Sequence, residues 1–194
     1  LILKTVVVGP LATNCYILAR DSGGPAFVID PGEDVLDIID ALDEDNLKVG
    51  RILITHGHFD HTQAAWDLKK ARGGDILSHT GDGLPGTDGE LKDGQQLELN
   101  GVVLTVWYTP GHSKGSVSLV GKKEVFCGDL LFQGSVGRTD FEGGSVDELM
   151  ASLDRLRELA DTTAVFPGHG PATNIGVERA TNPYMLLRET ADGQ

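Results

Sequence analysis

The segment Thr55-His56-Gly57-His58-Phe59-Asp60-His61 places three histidines and an aspartate within six residues. The apolar run Arg51 to Ile54 precedes it and reads as a buried strand. Thr62 to Ala71 follows and reads as a helix. The motif therefore sits at a strand end. In extended chain, residues two apart point the same way, so His56, His58 and Asp60 are expected on one side. A helix starting at Thr62 supplies the bend that lets His61 join them. Neutral imidazole and carboxylate are ligands that zinc, manganese and iron(II) accept. Without a metal, such a crowd of imidazoles would disturb its own pKa values and serve no core role.

A paired metal centre needs further ligands, and loops after other strands supply them. His112 stands in Thr109-Pro110-Gly111-His112-Ser113, past the strand Val102 to Tyr108. Asp129 stands in Cys127-Gly128-Asp129, past the strand Lys123 to Cys127. His169 stands in Pro167-Gly168-His169-Gly170, past the strand Ala164 to Phe166. Each has a glycine immediately before it, which suits a tight turn and a close approach of backbone. The sixth histidine, His79, is expected to be a loop residue near a strand end.

Around these loops the pattern alternates strands and helices. Ile2 to Val8, Cys15 to Arg20, Ala26 to Ile29, Asp75 to Leu77, Gln95 to Leu99 and Gly115 to Val120 read as further strands. Asn100-Gly101 marks a hairpin. Asp34 to Asp45 reads as a helix with Val35, Ile38, Ile39 and Leu42 on one face. Ser145 with Glu148 forms a capping box ahead of a helix striped by Leu149, Leu153 and Leu156. Asn182 to Thr190 reads as a last helix, and Gly128 to Gly144 as a long glycine-rich loop. Two sheets face to face with helices outside satisfy this order, and so does a doubly wound sheet.

Composition narrows the function. The 194 residues fit one domain, 1–194, and 29 acids against 16 bases give a net charge of −13. That balance excludes phosphate-backbone binding and docking on anionic lipid as the main task. Seven of the acids lie between Glu33 and Asp45, mostly opposite the apolar helix stripe, and read as a solvated face. Two cysteines make no disulfide framework, so a reducing, cytoplasmic setting is expected. Cys15 and Cys127 lie in strands and read as buried thiols, and Trp66 as core. The loop from Gly81 to Gly89 lacks spaced calcium ligands and reads as a mobile surface loop.

The motif and the three glycine-led ligands resemble the metallo-β-lactamase superfamily across essentially the whole chain. Asn14-Cys15-Tyr16, Gly128-Asp129-Leu130-Leu131-Phe132, Gly137-Arg138-Thr139-Asp140-Phe141 and Thr173-Asn174-Ile175-Gly176 are similar to the short glyoxalase II-like hydrolases. The resemblance implies an α+β fold, a four-layer αββα sandwich. It implies two divalent metal ions, zinc first, with iron or manganese also fitting the ligands. His56, His58 and His112 would hold one metal, Asp60, His61 and His169 the other, and Asp129 would bridge them. A metal-bridging hydroxide would then attack a carbonyl, with Asp60 orienting it and no protein nucleophile.

The leaving group points to the substrate. A thiol of pKa near ~8.5 departs without a strong general acid. Thioester hydrolysis, with S-(2-hydroxyacyl)glutathione as the small-molecule partner, is therefore expected. The family's substrate-gripping Lys and Tyr have no identical counterparts here; Arg138 and Phe141 stand nearest, and Lys114, two residues past His112, reads either as an exposed turn lysine or as a cation facing an anionic substrate. Arg138 can grip a substrate carboxylate or pair with Asp140. Another ester, lactone or acyl-thioester is a further reading. So is a persulfide dioxygenase of the same superfamily, with one iron on His56, His112 and Asp129. Aspartate at position 129, where many β-lactamases carry cysteine, argues against a β-lactamase.

Overall fold

A computed structural model describes residues 1–186. The strands β1 (Ile2–Val8), β2 (Thr13–Ala19), β3 (Pro25–Ile29), β4 (Lys48–Leu53), β5 (Asp75–Ser78) and β6 (Gly89–Glu90) form one sheet in that order. The second sheet runs β14 (Thr173–Asn174), β13 (Ala164–Pro167), β10 (Glu124–Gly128), β9 (Val117–Val120), β8 (Val102–Tyr108), β7 (Gln96–Leu99). Both sheets are mixed. β3, β4 and β5 pair in parallel, as do β10 and β13, while β1, β2, β7, β8 and β9 pair antiparallel.

Period-two burial sorts the strands into layers. Cys15, Ile17 and Ala19 of β2, with Ala26 and Val28 of β3, pack toward α1 (Val35–Asp43) and α3 (Ala65–Arg72). Tyr16, Leu18, Phe27 and Ile29 point the other way and meet Leu104, Val106, Leu119 and Phe126 between the sheets. Val125 and Cys127 of β10 face α4 (Val146–Leu156) and α6 (Pro183–Leu186) through Leu149, Leu153 and Met185. Helix, sheet, sheet, helix is thus the layer order, the αββα alternative of the two the pattern allowed. Burying a side chain such as Phe27 contributes about 1.5–3 kcal/mol.

Several boundaries move. The helix expected from Thr62 is two pieces, α2 (Phe59–Thr62) and α3, so helical structure begins inside the histidine motif. The expected 128–144 loop contains a small hairpin, β11 (Leu131–Phe132) with β12 (Ser135–Val136). The helix α5 (Ile175–Thr181) had been hidden by Gly176; its cap is Asn174, whose side chain accepts from Val177 N. The last helix begins at Pro183, and its expected continuation past 186 lies outside the described residues. The Ser145 cap accepts from Glu148 N, but Ser145 N donates to Gly111 O rather than to Glu148. That half-box ties the start of α4 to the loop carrying His112.

The acidic helix face is partly paired rather than wholly solvated. Lys4 bridges to Glu44 and Asp45, and Arg72 to Asp43. No helix among the described residues is long and apolar enough to cross a membrane.

Candidate metal centre

Parallel pairing puts the C-terminal ends of β3, β4, β10 and β13 at one rim of the sandwich, where their loops converge. His56 and His58 follow β4, Asp129 follows β10 and His169 follows β13. His112 follows β8 and is fixed by the loop that leads into β9. Asp60 and His61 come from the helical turn α2, capped by His58. The extended geometry expected for Asp60 is therefore replaced by a helical turn. That turn swings His61 inward next to Asp60, because neighbours on a helix fan apart by about 100°. All seven residues gather in one cluster, while His79 stays outside it.

Distances divide the cluster into two halves. His58 Nδ1 lies 2.9 Å from His112 Nε2, and His56, His58 and His112 form one compact group. His61 Nε2 lies 3.3 Å from His169 Nε2, and Asp60 Oδ2 lies 3.2 Å from His169 Nε2. Asp129 reaches both halves: Oδ1 is 3.5 Å from His61 Nε2 and Oδ2 is 3.5 Å from His112 Nε2.

The outer hydrogen bonds assign the imidazole tautomers. His112 Nδ1 donates to Arg138 O at 2.8 Å, and His169 Nδ1 to Leu11 O at 3.0 Å. His61 Nδ1 donates to Asp30 Oδ2 at 3.0 Å. The Thr55 hydroxyl spends its hydrogen on Asp30 Oδ2, so it accepts from His56 Nδ1 at 3.1 Å. Four rings thus present Nε2 inward, the arrangement that outer-shell partners impose on metal-binding histidines. Asp30 directly follows β3. Its role shows in its left-handed φ of 51°, a costly conformation for a non-glycine residue.

The inward atoms fit metal ions. His56 Nε2 and Asp129 Oδ1 are buried and have no hydrogen-bond partner among the described residues. A buried orphan acceptor costs roughly 1–3 kcal/mol, and two in one cluster of imidazoles and carboxylates call for cations. Burial, reinforced by His61 and His112, pushes the His56 pKa well below the usual histidine value. Burial and His112 lower His58 likewise. Burial opposes charge on His61, yet the Asp30 hydrogen bond and the Asp30, Asp129 and Asp60 charges carry its pKa up to about 9. Burial also works against an ionised Asp60, but hydrogen bonds from His169 and Thr13 and the charge of His61 hold it well below the usual carboxylate range. Any proton on His61 Nε2 competes with a metal for that atom, so metal binding releases protons.

The model of the metallo-beta-lactamase superfamily matches residues 8–169 of this chain. The chain belongs to that superfamily. A hydroxyacylglutathione hydrolase, GloC of Haemophilus influenzae, is 34% identical, with 94% of this chain and 97% of GloC covered. An uncharacterized protein of Mycobacterium tuberculosis is 36% identical over 91% of this chain and 94% of its own. Among solved structures, the B3 metallo-beta-lactamase BLEG-1 superposes with TM-score 0.88 at 34% identity, covering 95% and 99% of the two chains. ETHE1 from Myxococcus xanthus gives 0.89 at 27%, covering 100% and 92%. TTHA1623, solved in a di-iron-bound form, gives 0.84 at 35%, covering 93% and 99%.

Within this superfamily member, the rim residues take distinct places. Phe141 packs edge-on against His58 at 5.7 Å between ring centroids. Arg138 stacks over Phe141 at 3.8 Å and grips Asp140 through two hydrogen bonds of 2.7 and 2.6 Å. The local pair, not an open fork, is what the structure shows for Arg138. Lys114 is exposed and makes no ion pair among the described residues. His79 stacks on Tyr108 at 4.4 Å. Trp66 is only partly buried against the helix-side core. The 81–89 loop is fastened by Asp82, whose carboxylate binds Gly57 N and Gly115 N at 2.7 Å each.

Neither cysteine can serve as nucleophile. Cys15 and Cys127 are buried, and burial raises both thiols, Cys127 to about 12. A raised thiol pKa means the folded state holds its proton longer, so this contribution to stability falls as pH rises past 9. Iodoacetamide at pH 8 is expected to leave both thiols unmodified in the native protein and to label both in denaturant. Rapid native labelling would contradict their burial.

Proposed function

We propose that this chain is a two-metal hydrolase that cleaves a thioester of a small thiol, with S-(2-hydroxyacyl)glutathione as the first substrate to test. The observation that carries the reading is the adjacency of two three-ligand groups, His56, His58 and His112 beside Asp60, His61 and His169, with Asp129 within 3.6 Å of histidines in both and with His56 Nε2 and Asp129 Oδ1 unpartnered among the described residues. His56, His58 and His112 would hold one ion, Asp60, His61 and His169 the other, with Asp129 between. Zinc is the first assignment; iron and manganese suit the same mixed nitrogen and oxygen donors. When bound, such ions supply Lewis acidity and lower the pKa of water to roughly 7.

The chain's own residues supply position and protonation state. Asp60 is an ionised acceptor at neutral pH, and the Thr13 hydroxyl fixes it by donating to Oδ2 at 3.0 Å. It can therefore orient an attacking water without first losing a proton. Tyr16, whose hydroxyl donates to Pro167 O at 2.6 Å, and Asn14 hold the His169 loop against β2. With both cysteines buried, water is the attacking group. A thiolate leaves unassisted, whereas an amine needs a proton, which favours a thioester over an amide. The hydroxyacylglutathione hydrolase relative supports the same substrate class.

Arg138 is engaged with Asp140 and Phe141, so Lys114, two residues past His112 and exposed with no ion pair among the described residues, is the cation assigned to an anionic thiol portion. Lys114→Ala is expected to raise KM for S-lactoylglutathione about tenfold at unchanged kcat, the loss of roughly 1.4 kcal/mol of charge-assisted contact. Steady-state kinetics check this, and an unchanged KM would remove Lys114 from the site. The activity itself is tested by following S-lactoylglutathione hydrolysis beside oxygen uptake with glutathione persulfide. Hydrolysis is expected; oxygen uptake without hydrolysis would hand the site to the dioxygenase reading.

A further inference from the structure

We propose that Asp82 is the positioning residue for one half of the centre, the half carrying His56, His58 and His112; this rests on the two-metal reading above. The single carboxylate joins the two loops that bring those histidines. Oδ2 accepts from Gly57 N at 2.7 Å, between His56 and His58, and from Ser113 Oγ at 2.8 Å, next to His112. Oδ1 accepts from Gly115 N at 2.7 Å. The backbone joins the two segments behind the histidines, where Val117 N donates to Thr55 O at 2.8 Å; at the histidines themselves the Asp82 carboxylate makes the link.

Glycine on each side makes the approach possible. A methyl group at Gly57 would lie 2.7 Å from Asp82 Cβ, and one at Gly115 would lie 2.6 Å from Asp82 Cγ. One at Gly81 would overlap Lys114 O. Asp82 itself is held on a short 3₁₀ turn, Thr80–Asp82, capped by His79, whose Nδ1 accepts from Gly81 N at 3.0 Å. The stacking of His79 on Tyr108 thus has a purpose: it seats the turn that carries the carboxylate. The other half of the centre hangs on different supports. Thr13 holds Asp60, Asp30 holds His61 and Leu11 O holds His169. Loss of Asp82 should therefore loosen one metal position and spare the other.

Two backgrounds separate the positions. His169→Ala leaves the His56, His58 and His112 group intact, and His58→Ala leaves the Asp60, His61 and His169 group intact. Zinc binding to each purified protein is measured by competition with a chromophoric chelator. Adding Asp82→Ala is expected to weaken zinc about 10–100-fold in the first background, as for other outer-shell partners of metal ligands. In the second, the change should stay within about twofold, as for independent sites. Asp82→Asn keeps one carbonyl oxygen and should recover part of the loss. Ser113→Ala, which removes one bond of three, should give a smaller weakening in the first background only and serves if Asp82→Ala misfolds. Equal loss in both backgrounds, or none in the first, would overturn the proposal. If neither background binds zinc before Asp82 is touched, the two-metal reading itself fails.

Discussion

Asp129→Ala is expected to abolish the paired centre and to cut turnover roughly 100- to 1,000-fold, the scale of removing one preorganised electrostatic group. Its carboxylate spans the two halves of the cluster, Oδ1 beside His61 and Oδ2 beside both His112 and His169. The stability effect should run the other way in the metal-free protein. Asp129 Oδ1 makes no hydrogen bond among the described residues and its histidine neighbours stand 3.5 Å or more away, so removing it relieves a desolvation cost while breaking no hydrogen bond. Metal-free Asp129→Ala should melt no lower than the metal-free parent. Full turnover with both metals retained would refute the bridging role.

Gly168→Ala is expected to cost about 100-fold in kcat although Gly168 ligates nothing, because misplacing a reacting group by 1 Å can cost that much. An added methyl would overlap Asp129 Oδ1 and lie 2.6 Å from His61 Cε1. The loop has little room to retreat. Gly168 N donates to Gly128 O at 2.8 Å, and Gly168 O accepts from Asn14 N at 2.7 Å. Overpacking of this kind also costs about 1–3 kcal/mol of stability. Kinetics with metal analysis check it; parental activity would show that the loop yields more than its hydrogen bonds suggest.

The residues that converge on the centre are legible because their chemistry is unusual: histidines are rare, three of them crowd into Thr55 to His61, and His112, Asp129 and His169 each follow a strand behind a glycine. Their supports are not. Asp30 directly follows a strand and Asp82 lies in the loop from Gly81 to Gly89, with no local signal that marks either as a support. Their roles depend on partners 25 to 33 positions away, Thr55, Gly57 and Gly115. Period-two patterning found the long strands, while two-residue strands such as β11 and β12 are too short to show a period. The start of α2 is not legible because three of its four residues lie inside the motif, where ligand identity masks helical spacing. Arg138 remained open in the sequence because its two possible partners, Asp140 and a substrate, differ only in geometry.

The most direct test of a two-metal thioester hydrolase is the metal content of a preparation that is turning over S-lactoylglutathione. Two divalent ions per chain, falling together with the rate when a chelator is added and returning with it on metal readdition, is the predicted result. A single iron per chain with no thioester hydrolysis would contradict it.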